Sequence, residues 1–131
     1  MDHRFALALT HFEGALARLD EVLAMDESDI VRDALIKRFE FTFETAWKAC
    51  YRWLRARGVE VDEEAFAVLP RAFRNRLVTD EAVWSDIRRA RNKTSHTYHE
   101  AVAIEVAALT RAVAAPAFTA LLATLKARAE E

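Results

Sequence analysis

Residues 38–54 read Arg38-Phe39-Glu40-Phe41-Thr42-Phe43-Glu44-Thr45-Ala46-Trp47-Lys48-Ala49-Cys50-Tyr51-Arg52-Trp53-Leu54, without a glycine or a proline. Together with Leu35, the apolar positions Phe39, Phe43, Ala46, Cys50 and Trp53 recur at spacings of four and three, the period of a helix and not of a strand. Ile36, Phe41, Trp47, Tyr51 and Leu54 fill the flanks, so apolar side chains cover most of the circumference. A helix of that kind lies at the centre of a core or in a subunit interface. It should run to about Arg57 and stop at Gly58, the residue best able to take the left-handed turn that ends helices.

The same period extends in both directions. Phe5, Leu9, Phe12, Leu16, Leu19 and Leu23 predict a helix over about residues 2–25. Asp26-Glu27-Ser28-Asp29 breaks it, with Ser28 or Asp29 able to cap the second helix. Downstream, Asp62 can open a third segment, and Pro70 suits the first turn of a further short one. Thr79-Asp80-Glu81 opens a helix carrying Val83, Trp84, Ile87 and Ala90. A last stretch, about residues 100–128, has Val102, Val106, Leu109 and Val113 on one face, and Pro116 should kink or divide it before Phe118, Leu121, Leu122 and Leu125. No strand pattern or repeat is present. The expected architecture is all-α, an antiparallel up-and-down bundle of four to five main helices forming one domain over residues 1–131.

Composition agrees. Of 131 residues, 53% are apolar and 31% charged, a balance that buries a core. Cys50 is the only cysteine, which excludes an internal disulfide and suggests a buried, inert thiol. No signal-peptide pattern precedes the first helix, and the charge-free run Ala112–Leu125 is too short to span a bilayer. A cytoplasmic protein without membrane association is expected. The net charge of −2 does not suggest a general nucleic-acid binder. Between Arg71 and Lys93, however, seven cations face three acids. Such a cluster can meet a phosphate-bearing partner or simply be solvated.

Next to that cluster lies Arg91-Asn92-Lys93-Thr94-Ser95-His96-Thr97-Tyr98. On an unbroken helix Arg91 and His96 would point about 140° apart, at roughly 100° per residue. Convergence on one substrate needs a break near residues 93–95, with Ser95 or Thr97 capping the final helix, or contributions from two subunits. The residue types suit phosphodiester chemistry. Histidine titrates near neutrality and can carry a proton either way, and arginine presents a permanently charged planar fork to phosphate oxygens.

Arg-x4-His-x-Tyr, read as Arg91, His96 and Tyr98, resembles the signature of HEPN toxins paired with minimal nucleotidyltransferase antitoxins. The strings RNKTSHTYHE and RFEFTFETAWKACYRWL also resemble proteins described as nucleotidyltransferase substrate-binding subunits. The likeness covers nearly the whole chain. It implies a homodimer that cleaves RNA without a metal or other cofactor, with Arg91 and His96 of two protomers meeting in one cleft and Asn92 orienting substrate. It also implies that Tyr98 is the hydroxyl modified with AMP by the partner nucleotidyltransferase, which would block RNA by bulk and negative charge.

Each residue also has a plainer reading. Tyr98 can pack its ring on the bundle and expose its hydroxyl. Lys37, Glu40, Glu44 and Lys48 form a charged stripe that is either a solvated face with a Glu44–Lys48 pair or a route by which Glu44 orients Arg91 or His96. His96, His99 and Glu100 superficially suggest metal ligands, but two histidines three apart are poor grounds for a metal site, and none is expected. Two other functions compete: a noncatalytic subunit presenting substrate to a nucleotidyltransferase, and a helical adaptor using Phe39, Phe43 or Trp47 as a docking face.

Overall fold

In the computed structural model, which describes residues 2–131, the Asp2 carboxylate accepts the Phe5 amide (3.0 Å) and starts α1, His3–Leu23. Of the two candidate caps for α2, Asp29–Ala56, Ser28 is the one used: its hydroxyl accepts the Val31 amide at 3.1 Å. Gly58, at φ 80°, closes α2 as expected. The Val59 amide reaches back to the Leu54 carbonyl and the Gly58 amide to that of Arg55, which satisfies carbonyls the helix end would leave bare.

The third segment differs from expectation, and the last is divided at Pro116 as expected. The third helix, α3, spans Ala65–Arg74 and starts three residues after Asp62, with Pro70 inside it and no second short helix. The proline removes the bond that the Phe66 carbonyl would have accepted, and Phe66 is an exposed residue near the helix start, where water can replace it. At the other proline the chain widens rather than breaks. α5, Glu100–Leu109, and α6, Ala115–Ala129, are one continuous rod joined through a π-helical turn over Thr110–Ala114. There the Ala115 amide bonds the Thr110 carbonyl, five residues back. The turn lies just ahead of Pro116, which has no amide proton to donate, and divides the stretch there.

α4, Glu81–Lys93, is capped by Asp80 on the Val83 amide (3.1 Å), as the Thr79-Asp80-Glu81 signal predicts. Among the described residues there is no strand, and the all-α bundle is the fold observed.

α2 lies at the centre and touches α1, α3, α4, α5 and α6. Its apolar circumference is used mostly inside the chain, because Ile36, Phe39, Phe43, Trp47 and Leu54 are all buried. Phe118 of α6 anchors the middle of the core, with ring centroids 6.4 Å from Phe12, 6.2 Å from Phe39 and 5.7 Å from Trp84. Cys50 is fully buried here, and burial pushes its thiol from the ordinary 9.0 up to about 12. The rod from Glu100 to Ala129 is, by length and composition, long and apolar enough to cross a membrane. In the fold, Ala103, Val106, Ala114, Phe118, Leu121 and Leu125 from this rod are buried in the bundle's own core.

Candidate active site

The break required near residues 93–95 is present. α4 ends at Lys93, a 3₁₀ turn occupies Thr94–His96, and α5 begins at Glu100. Neither Ser95 nor Thr97 caps α5. Their hydroxyls donate backwards, Ser95 to the Asn92 carbonyl and Thr97 to the Thr94 carbonyl, both at 3.2 Å. The freed carbonyls at the end of α4 are the nearer acceptors, so they take the hydroxyls. His99 stands at the α5 cap position without a side-chain capping bond. Lys93 of α4 reaches Glu105 of α5 at 2.5 Å and ties the two sides of the break together.

Arg91 is half-buried in the last turn of α4 and is held from three sides. Its Nε donates to Glu44 Oε1 at 3.3 Å, one Nη lies 3.5 Å from Glu40 Oε2, and the same nitrogen donates to the buried Thr94 hydroxyl at 2.8 Å. Thr94 in turn donates to the Arg91 carbonyl at 2.7 Å, so the residue that starts the 3₁₀ turn also fixes the guanidinium. Glu44 is fixed from behind by the Trp47 indole N–H, at 3.1 Å. The charged stripe on α2 is therefore not merely solvated. Glu44 engages Arg91 and Trp47, while Lys48 lies over the Trp47 ring instead of pairing with Glu44. Glu40 and Thr94 complete the cradle, a role that sequence reasoning assigns to neither. The i,i+4 spacing of Glu40 and Glu44 is the available signal, but their common partner lies on another helix.

His96 and Tyr98 stand on the other side of the break, both exposed or nearly so. The Tyr98 hydroxyl is 3.3 Å from His96 Nδ1, and the rings meet edge to face at 6.0 Å. Tyr98 is 76% exposed and leans on the His99 ring, 4.4 Å between centroids, so it packs on a neighbour in the turn and not on the bundle. Asn92 is exposed at the same end of α4. Within the described residues no hydrogen bond joins Arg91 to His96. The single chain thus brings together Arg91 with Glu44, and His96 with Tyr98, as two adjoining pairs.

The basic cluster is thinner in space than in sequence. Arg89 pairs with Asp86, Arg91 with its two glutamates and Lys93 with Glu105, leaving Arg71, Arg74, Arg76 and Arg88 without a carboxylate among the described residues. The adaptor reading loses its docking face, because Phe39, Phe43 and Trp47 are all core residues; of that helix's large rings, Phe41 alone is strongly exposed.

Residues 7–127 match the family model described as nucleotidyltransferase substrate binding protein like. The chain belongs to that family. As a member of the nucleotidyltransferase substrate-binding protein-like family it has the HEPN-like helical bundle that its motifs implied. It is 34% identical over 88 residues to a probable ribonuclease HepT of Haemophilus influenzae, a match covering 61% of this chain and 60% of the relative. The chain thus spans less than two thirds of that relative's length. A crystal structure of a protein from Thermus thermophilus has the same fold, with a TM-score of 0.71 at 32% identity over 92% of this chain and 99% of that one.

Proposed function

We propose that this family member is a HEPN-type endoribonuclease that needs no metal, works as a homodimer and acts as a cytoplasmic toxin held in check by a small nucleotidyltransferase. The observation that carries this reading is the cradle around Arg91. Two carboxylates and a threonine fix the guanidinium, while its second Nη makes no hydrogen bond within the described residues and is free for a phosphate oxygen. Fixing an arginine this way prepares it for charge that develops in a transition state. In support, the relative from Haemophilus influenzae is named as a probable ribonuclease.

In the proposed reaction His96 takes the proton of an RNA 2′-hydroxyl, and that oxygen attacks the adjacent phosphorus. Arg91 offsets the negative charge of the five-coordinate phosphorane. A second histidine, His96 of the partner subunit, gives a proton to the departing 5′-oxygen, so the products are a 2′,3′-cyclic phosphate and a 5′-hydroxyl. Two proton carriers are needed, and each chain offers one such His96, which is the reason for placing the site across two copies. Asn92, exposed beside them, orients the strand. Glu44 acts through Arg91 as a positioning residue.

Tyr98 supplies the control. Its exposed hydroxyl attacks the α-phosphate of ATP in the nucleotidyltransferase, pyrophosphate leaves, and the phenol proton is released. The resulting AMP puts a negative phosphodiester against His96 and close to the strand's path. A second reading, the noncatalytic subunit presenting substrate to a nucleotidyltransferase, is favoured by one observation: Glu40 and Glu44 both face Arg91 and offset its charge. The test is an RNA digest by the purified protein, by Arg91→Ala and by His96→Ala, with intact-mass analysis after incubation with the nucleotidyltransferase and ATP. Cleavage lost in both variants, and an AMP increment absent from Tyr98→Phe, is the expected result. Intact RNA with every form, or cleavage equal in wild type and His96→Ala, sinks the ribonuclease.

A further inference from the structure

α1 and α2 run antiparallel, and a surface furrow follows their seam. Its hollows share walls. Thr45 borders both the one beside Glu44 and Phe41 and the next, a cavity of about 270 Å³ lined by His11, Lys48 and Tyr51; Arg4 and Arg52 line this second cavity and the third. From Glu44 to Arg52 the furrow follows two turns of α2, about 12 Å at 1.5 Å per residue. Glu44 at its upper end is the residue that holds Arg91.

The charge along this seam is one-sided. Arg4, Arg18, Lys48 and Arg52 all border it, and none has a carboxylate within ion-pair distance among the described residues. Two further cations of the furrow are paired, Arg38 with Glu21 and Arg55 with Glu60, so the four unpaired ones are a surplus over these local pairs. Glu63 borders the middle hollow, and Asp2 borders the far one with an oxygen committed to capping α1. The furrow also carries rings. Arg52 covers Tyr51 at 5.2 Å, and Phe41, 55% exposed, lies 5.2 Å beneath Lys37.

A cationic groove interleaved with aromatic faces matches a single-stranded nucleic acid, whose phosphates pair with the cations while its bases stack on the rings. A chain with a net charge of −2 keeps four unpaired cations on this one seam, and that charge complementarity selects a polyanion over a neutral partner. We propose that the α1–α2 furrow is the track along which a single-stranded RNA is led to Arg91. The destination of the track rests on the ribonuclease reading; the track itself does not.

The test is fluorescence anisotropy with a labelled single-stranded oligouridylate and the full chain carrying His96→Ala, so that cleavage does not intrude. Adding Arg4→Ala, Lys48→Ala and Arg52→Ala should weaken binding at least tenfold. It should also flatten the dependence of log affinity on log salt by about 2, at roughly 0.7 for each phosphate no longer neutralised. Tyr51→Ala should weaken binding with the salt slope kept. Lys48→Ala alone, at an exposed position where the fold is not at stake, should cost about threefold. Unchanged affinity and slope overturn the track, and so does a loss of binding accompanied by a changed oligomer mass, which would make the furrow an interface between copies. Furrow-dependent binding without cleavage by wild-type protein keeps the track and ends the ribonuclease reading. His96-dependent cleavage with KM unmoved by the furrow substitutions does the reverse.

Discussion

Arg91 draws its partners from α2 and from the turn that follows it, and this decides what each substitution should do. Glu44→Ala removes the acceptor on Nε and leaves the Trp47 indole N–H unpaired, while Glu40 and Thr94 remain. The guanidinium then keeps its charge but loses its aim, so RNA cleavage should fall about tenfold, mainly in kcat. Stability should drop by about 1 kcal/mol or less, because both partners are roughly one-third exposed. Glu44→Gln, which still accepts from Trp47, should recover part of the rate. If Glu44→Ala cleaves as fast as wild type, the cradle is only a surface ion pair. Cys50 makes a separate prediction. Its raised thiol pKa keeps it protonated in the fold, while the unfolded chain ionises from about 9 upward. The stability present below pH 9 is therefore lost progressively toward pH 12, by about 1 kcal/mol per pH unit from this group. Denaturant curves of wild type and Cys50→Ala should diverge in that direction above pH 9, and a thiol reagent at neutral pH should label Cys50 only after unfolding. Arg91, His96 and Tyr98 are legible as residues because their chemistry is local. The Arg91–Glu44 contact is only one option for a charged stripe, since it joins positions 47 residues apart.

At the scale of elements, the sequence shows where helices must stop and not always how. Gly58 and the Ser28 and Asp80 caps are short-range chemistry and can be read directly. So can the break after Lys93, announced by weak helix formers. Pro116 divides the last stretch as its signal implies, whereas Pro70 sits inside α3 and does not open a helix of its own. The π turn over Thr110–Ala114 holds one residue more than an α turn, and beyond it Phe118 meets Phe12, Phe39 and Trp84. Deleting Ala112, an exposed residue within that turn, should restore α-helical spacing and keep Phe118, Leu121 and Leu125 facing the core, because the turn holds one residue more than an α-helix needs. Deleting Ala112 and Val113 together should rotate those side chains by about 100° out of the core, and since losing a buried phenylalanine alone costs about 3–5 kcal/mol, that chain should be unfolded or melt roughly 10 °C or more lower. Ala112→Gly, which keeps the register, should cost only about 1 kcal/mol. Equal melting of the single and the double deletion would mean that the π turn's extra residue does not set the position of Phe118.

For the whole molecule, the decisive quantity is how many copies make one site. The bundle core is legible because apolar periodicity is a property of each helix by itself. The division of the site into an Arg91 pair and a His96 pair is not, because it depends on where a 3₁₀ turn sends two exposed rings. Acid and base roles require two proton carriers, and each chain offers a single His96 beside Tyr98. If a twofold dimer supplies both, mixing wild type with His96→Ala in equal amounts, under conditions of subunit exchange, leaves about one quarter of dimers fully wild type. Cleavage per wild-type chain should then fall to about half, although no wild-type chain has been altered. Independent subunits would keep that value constant, and Arg91→Ala mixed into the same protein should poison it alike if both guanidinium groups are needed. Constant activity per wild-type chain, at concentrations where the chains demonstrably exchange, would return both proton transfers to a single bundle and make His99, against the Tyr98 ring, the next candidate for the second carrier.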